Sequence, residues 1–373
     1  MPTYAETSPV EQTGVAAPPV VGRRRPAAGR GWAESFVVSG RLRVWFVLAL
    51  WGLLIACALI SVMAGRYSIS LPEILRALGD SVSGQEFTDD RVGSVLFGVR
   101  FPRTVLAIFV GAGLAVAGAA FQSVFSNPLA TPDTLGVSAG TSVGAVLALI
   151  FSWNLLGVQA LALLFGLLAM AVTVSIARHR GKTSIVMLVL AGVIVSAIAN
   201  AVISMLKLMA DPTSKLPEIT YWLMGSLAGV SFSSIALGVP LIVLGTLGIY
   251  LLRWRLNVLA LSEDEARAAG LNIRVLRPLV IACATLITAS VVSMCGQVGW
   301  IGLLVPHCAR MLVGNNNRLV IPVSLLLGAA MMLLIDTLAR TMTASEIPIS
   351  VLTALIGAPM FILLLRKTGG NWS

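Results

Sequence analysis

A chain of 373 residues that is 57% hydrophobic and only 11% charged, against about 25% charged in ordinary soluble domains, is too apolar to fold as a water-soluble protein. Its apolar runs approach 20 residues, enough to cross about 30 Å of hydrocarbon as helices, and they lack the alternating strands of a membrane β-barrel. The net charge of +10 does not require a nucleic-acid partner, because the basic residues cluster at 23–43, 178–182, 253–277 and 366–367, where a cytoplasmic N-terminus puts all four clusters on the inner face, as the positive-inside rule demands.

Residues 1–43, rich in Pro, Ala, Gly, Ser and Arg, read as a disordered cytoplasmic tail. The first apolar run starts too late and runs too long for a signal peptide. The arginines at 23–25 serve first as an orientation signal and second as a contact for membrane lipid. A transmembrane domain then occupies 44–367. Its first span is expected at 44–64, running outward. Residues 65–99 read as an outer segment with a short surface helix at 71–78. Span two, 101–124, opens with Arg100-Phe101-Pro102-Arg103 and carries a small-residue stripe at Gly111, Gly113, Ala117 and Gly118. Two prolines in 127–133 break the chain. Span three, 135–153, presents Gly136, Gly140 and Gly144 at every fourth position, a smooth face for close helix packing. Spans four and five fall at 155–177 and 185–206. The stretch 207–229 is too polar in its later part to cross and reads as a short helix at the outer surface or partly re-entrant. Span six is 234–252, followed by a polar island at 253–277. Spans seven to ten are 278–298, 300–313, 319–339 and 349–365, and 368–373 form a short tail. The class is thus an all-α polytopic protein of the plasma membrane with about ten helices and both termini cytoplasmic.

The polar island is written as a short helix with both ends marked. Ser262 and Glu265 have the spacing of a capping box, Glu263 and Asp264 favour the positive end of the helix dipole, and Gly270 suits a left-handed stop. Some seven residues make a marginal helix alone. Ala266, Ala268 and Ala269 would let a partner approach closely. Two readings stay open on these residues: a solvated loop helix, or a knob that docks into a second protein.

Few charges lie near membrane depth. Asp336 and Arg340 are four apart and share a helix face, so they can pair. Arg100, Arg103 and Arg340 fall at outer span ends, either snorkelling to the interface or forming an outward basic patch that attracts an acidic partner. The four cysteines lie in apolar segments without a CxxC pair, and the two histidines are far apart, so neither a metal nor a redox centre is expected. Gly181-Lys182-Thr183 lacks the first glycine and the strand of a nucleotide-binding loop. Gly136-Val137-Ser138-Ala139-Gly140 matches the hydrolase elbow only as a string, since it opens a membrane span. No catalytic centre is expected.

The segments 100–140, LSEDEARAAGL (261–271), GQVGWIGLLVPHCARMLVG (296–314), DTLAR (336–340) and 346–365 together resemble the FecCD-type permease subunits of ABC importers for iron–siderophore complexes and cobalamin. The resemblance runs from about residue 45 to 367. It implies the type II importer permease fold, a homodimer or a heterodimer with a paralogue, two cytoplasmic ATPase subunits that bind ATP and Mg, and an extracytoplasmic binding protein. The chain itself would bind no cofactor. The resemblance further implies that the segment 256–276 couples to the ATPase through Ser262, Glu263, Glu265, Ala266, Arg267, Gly270 and Leu271, which favours the docking reading of the island. It places Arg100, Arg103 and Arg340 where the binding protein docks, and charge reversal at Arg100 and Arg103 is expected to weaken docking without harming assembly. Ser262, Trp300, Asn316, Asn317 and Ser350 depart from the family pattern. Ferric siderophore is the expected cargo, with cobalamin or haem as the alternative. An ion-coupled secondary transporter is the competing class.

Overall fold

In hydrocarbon a backbone has no water to bond, so each apolar run must satisfy its amides and carbonyls internally, and helix is the local solution. The computed structural model describes residues 35–65, 67–179, 182–183, 185–260, 265, 268 and 270–368. Its helices are α1 (Val44–Met63), α2 (Leu71–Ser83), α3 (Asp90–Val95), α4 (Phe101–Val124), α5 (Val137–Ile150), α6 (Leu155–Ala177), α7 (Ile185–Met209), α8 (Lys215–Leu223), α9 (Phe232–Leu252), α10 (Ile273–Cys295), α11 (Ile301–Val313), α12 (Asn317–Thr341) and α13 (Ile349–Thr368). Two antiparallel hairpins of two-residue strands complete the order: β1 (Val37–Val38) with β2 (Arg41–Leu42), and β3 (Arg178–His179) with β4 (Lys182–Thr183).

Among the described residues, 7 helical segments are long and apolar enough to cross a bilayer, and α5, α11 and the apolar part of α13 are shorter apolar helices. The all-helical class with about ten apolar helices therefore stands. At 13 residues, α11 covers only about 20 Å. The chain reaches it through Trp300 at φ 67, a left-handed conformation rare for a bulky residue. Gly357 of α13 lies against that tryptophan, leaving no room for a side chain of its own.

The core is built around α4. Nearly all of its residues are buried, and α9, α10, α11 and α12 pack around it. Lipid tails are as apolar as leucine, so burial from water does not drive such packing; close van der Waals contact does, and small residues permit it. Gly111 and Gly328 meet backbone to backbone, and a methyl group on either would land on the carbonyl of the other.

Several boundaries differ from the sequence reading. Span two does not begin at 101: Asp90–Val124 is one helical unit of 35 residues, with a π-helical turn at Leu96–Arg100. The Phe101 amide bonds to the Leu96 carbonyl, one residue further back than in an α-helix. That widening makes room for Pro102, whose ring would crowd the preceding turn and which has no amide to give. The tail boundary at 43 also falls too late. The Arg43 amide donates to the Phe36 carbonyl at 2.9 Å, and the Phe36 ring sits 4.6 Å from that of Phe46, so the first hairpin belongs to the bundle. Helix α2 is longer than 71–78. It is opened by a capping box between Ser70 and Glu73, which holds the Glu73 carboxyl below its ordinary pKa through bonds from the Ser70 hydroxyl and amide.

Candidate functional site

At one end of α4, the last turn of α1 leaves its final carbonyls without intrahelical partners, at the negative end of the helix dipole. Two guanidiniums fill that need. Arg100 donates to the carbonyls of Met63 (2.9 Å), Val62 and Tyr67. Arg340 donates to the Ala64 carbonyl at 2.7 Å, to the Ser61 hydroxyl at 3.0 Å and to the Ser61 carbonyl. Gly65 lies between them, and a β-carbon there would come within 2.7 Å of an Arg100 terminal nitrogen.

Arg103 works differently. Its Nε donates to Asp336 Oδ1 at 2.9 Å, and its two terminal nitrogens donate to the two oxygens of Glu346, each at 2.9 Å. Asp336 is fully buried, and Arg340 Nε stands 3.4 Å from its other oxygen. That distance allows attraction, but the geometry is not that of a hydrogen bond. The cluster thus ties α1, α4, α12 and the chain before α13 together.

Arg100, Arg103 and Arg340 are 5%, 5% and 8% exposed. They do not stand as an outward basic patch, and reversing Arg100 and Arg103 is now expected to disturb folding as well as docking. Each guanidinium is bound inside the protein, and a carboxylate in its place would face carbonyls or other carboxylates. The Asp336–Arg340 pairing was readable from the sequence; the partnership of Arg103 with Glu346, 243 residues away, was not.

The other end of α4 holds a polar network that the sequence did not signal. Arg310 of α11 points its guanidinium at Gln122 Oε1 (3.4 Å), Asn317 Oδ1 (3.3 Å) and the Ala119 carbonyl (3.3 Å). Asn257 accepts from the Asn317 amide at 2.8 Å and donates to Asn316 Oδ1 at 2.9 Å. These bonds, with Leu256 and Leu259 buried, pin the turn 255–260 to α4 and α12 just before the polar island. The two networks lie near opposite ends of α4, with Arg103 and Gln122 separated by about 28 Å of helix.

Of the island itself, Ser262, Glu263, Ala266 and Arg267 lie outside the described residues, and with them one half of the expected capping box. Glu265 is helical and exposed, and Leu271 is half-buried. Gly270 has φ +75 with open space about it. Asn272 then caps α10, its side chain accepting from the Arg274 amide at 3.0 Å. The glycines of span three divide in use. Gly140 lies against Ala169 and the Phe165 carbonyl of α6, Gly144 lies against the Leu161 carbonyl, and Gly136 (φ +78) forms the left-handed corner from which α5 starts. Among the described residues no group of His, Cys, Asp or Glu could hold a metal, and the four cysteines are free thiols.

A bundle of apolar helices with buried arginines at one end, and a polar segment between α9 and α10 at the other, defines a polytopic membrane protein. The chain belongs to the FecCD transport family, which it matches over residues 53–367; it is an ABC importer permease and does not itself catalyse ATP hydrolysis. It is 41% identical over 316 residues to the molybdate import system permease protein MolB of Haemophilus influenzae, covering 84% of this chain and 93% of that protein. It is 39% identical over 269 residues to the cobalamin import system permease protein BtuC of Halobacterium salinarum, covering 72% of each. A solved structure described as an inward-facing conformation of a metal-chelate type ABC transporter superposes with a TM-score of 0.79 at 38% identity, covering 87% of this chain and all of that one. Membership sets aside the ion-coupled secondary transporter.

Proposed function

We propose that the chain, paired with a second copy or a paralogue, forms the translocation pathway of an ATP-driven importer for a ferric siderophore. The observation that carries this reading is the arrangement of the island. Its entry is anchored at 255–260 on α4 and α12, its exit is capped onto α10, and Glu265, Ala268 and Gly270 between them are exposed. A subunit gripped there would pass movement directly to the helix at the centre of the core. The grip is assigned to Ser262, Glu263, Glu265, Ala266, Arg267, Gly270 and Leu271, in a segment facing the cytoplasm. The extracytoplasmic binding protein docks at the arginine end, where Arg100, Arg103 and Arg340 shape the rim by holding α1, α4 and α12 in register rather than by offering free charge.

The siderophore assignment draws on the likeness to the metal-chelate transporter. A second cargo, molybdate, is favoured by the 41% identity to the molybdate permease. Uptake of labelled ferric siderophore, molybdate, cobalamin and haem by a deletion strain separates them: loss of siderophore uptake alone supports the first reading, and loss of molybdate uptake alone replaces it with the second.

Coupling has its own test. Gly270→Pro forces φ to about −65° where the backbone stands at +75, so the island's exit is rebuilt. In the assembled importer, ATP hydrolysis is expected to continue while uptake falls to near background. Retained uptake per ATP would remove the island from the coupling path.

A further inference from the structure

At the island end, beside α9, the hairpin β1–β2 and the start of α12 enclose a groove of about 190 Å³ lined by Gly40, Arg41, Tyr250, Arg253, Arg318 and Pro322, among others. Three of these are arginines. The Arg253 guanidinium lies over the Tyr250 ring at 4.0 Å, and the Arg318 guanidinium lies over the Trp254 ring at 3.9 Å. Aromatic faces hold the two planes in place. None of the three arginines forms an ion pair with an acidic side chain among the described residues. Arg318 also sits in the first turn of α12, where the helix dipole adds positive potential.

What lies next to the groove narrows the ligand. Leu244, Leu247 and Leu251 of α9 are 60%, 50% and 66% exposed, and their spacing puts them on one face of the helix. This apolar stripe runs up to Tyr250 and Trp254, amphipathic rings of the kind that mark the headgroup level of a bilayer. A cationic groove at the end of such a stripe matches a molecule with an anionic head and acyl chains. A free anion would use only the groove.

We propose that this groove binds the phosphodiester headgroup of an anionic phospholipid, held by Arg41, Arg253 and Arg318, with its acyl chains along the Leu244–Leu247–Leu251 face of α9. Guanidinium forks match phosphate oxygens in pairs, so the site fastens the hairpin and the starts of the island and α12 to one lipid.

The test is native mass spectrometry of the full-length chain released from detergent containing phosphatidylglycerol, phosphatidylcholine or both. Phosphatidylglycerol is expected to be retained over phosphatidylcholine. Retention should weaken about fivefold for each of Arg41→Gln, Arg253→Gln and Arg318→Gln, with an unchanged melting temperature. Inorganic phosphate added at the lipid's concentration should not displace it. Equal retention of phosphatidylcholine, phosphatidylglycerol binding that survives the triple variant, or displacement by inorganic phosphate would each overturn the proposal. Should the triple variant misfold, Arg41→Gln alone, at an exposed hairpin position, and Arg253→Lys, which keeps the charge but loses the fork, read the same retention: a drop in both supports the site, and no change in either overturns it.

Discussion

Arg103→Ala is expected to lower stability by about 3–5 kcal/mol, the cost of leaving a buried charge without its partner. The substitution strips Asp336, which has no exposure, of its hydrogen-bond donor at 2.9 Å and leaves it only the misaligned Arg340 nitrogen at 3.4 Å. Glu346 loses both of its bonds, but its side chain is 26% exposed and can turn to water, so Asp336 accounts for most of the cost. Arg103→Lys should fall between, because one ammonium cannot reach three acceptors in the directions that a planar fork does. Removing both charges in Arg103→Ala/Asp336→Ala should cost less than the two single changes summed, by about 0.5–3 kcal/mol. Thermal unfolding of the purified chain in detergent measures all four variants. A loss under about 1 kcal/mol for Arg103→Ala, in the range of surface pairs, would mean that the cluster does not hold the arginine end together. The same result bears on docking: in a variant that loses this much stability, lost uptake reports folding, and docking has to be probed at exposed neighbours such as Thr343 and Ser345.

How much of this was readable beforehand depended on the range of the signal. Helix existence was legible because hydrocarbon leaves little alternative for a long apolar run. The pairing of Asp336 with Arg340 was legible because spacing along one helix decides which face residues share. The start of the second span was not: Asp89, Asp90 and Arg91 fell within the outer segment 65–99, whereas the Asp89 side chain in fact caps the helix by accepting from the Arg91 and Val92 amides. Nor was the position of α4 at the centre, since every span is apolar and hydropathy does not rank helices by what surrounds them. Its small-residue stripe was the one available clue. The arginine cluster and the Arg310 network join residues far apart in sequence, and no local pattern marks such partners. The segment with the strongest local signals, the Ser262–Gly270 island, is also the one whose isolated helix is least able to hold itself.

The centrality of α4 leads to the second large effect. Gly111→Val is expected to destabilise the chain by about 3 kcal/mol, at the upper end for overpacking, because the obstacle is backbone. A β-carbon at Gly111 would overlap the Gly328 carbonyl and stand 2.5 Å from the Met332 β-carbon, and neither can swing aside as a side-chain tip would. The helices must separate, and α4 then loses contact along the face it presents to α12. Gly111→Ala already meets the same carbonyl and should be destabilising despite the better helix propensity of alanine. Gly52 of α1 supplies the control, since nothing lies within 4 Å of a β-carbon there. Gly52→Ala is expected to be neutral or to gain up to about 1 kcal/mol from propensity alone. Because Gly111 and Gly328 face each other's carbonyls across one gap, Gly328→Ala should resemble Gly111→Ala, and the double variant should depart from additivity as neighbours do. Melting temperatures of the five variants decide the matter. If Gly111→Ala behaves like Gly52→Ala, the contact of α4 with α12 is looser than its geometry states, and a push at the island would be absorbed there instead of crossing the bundle to the arginine end.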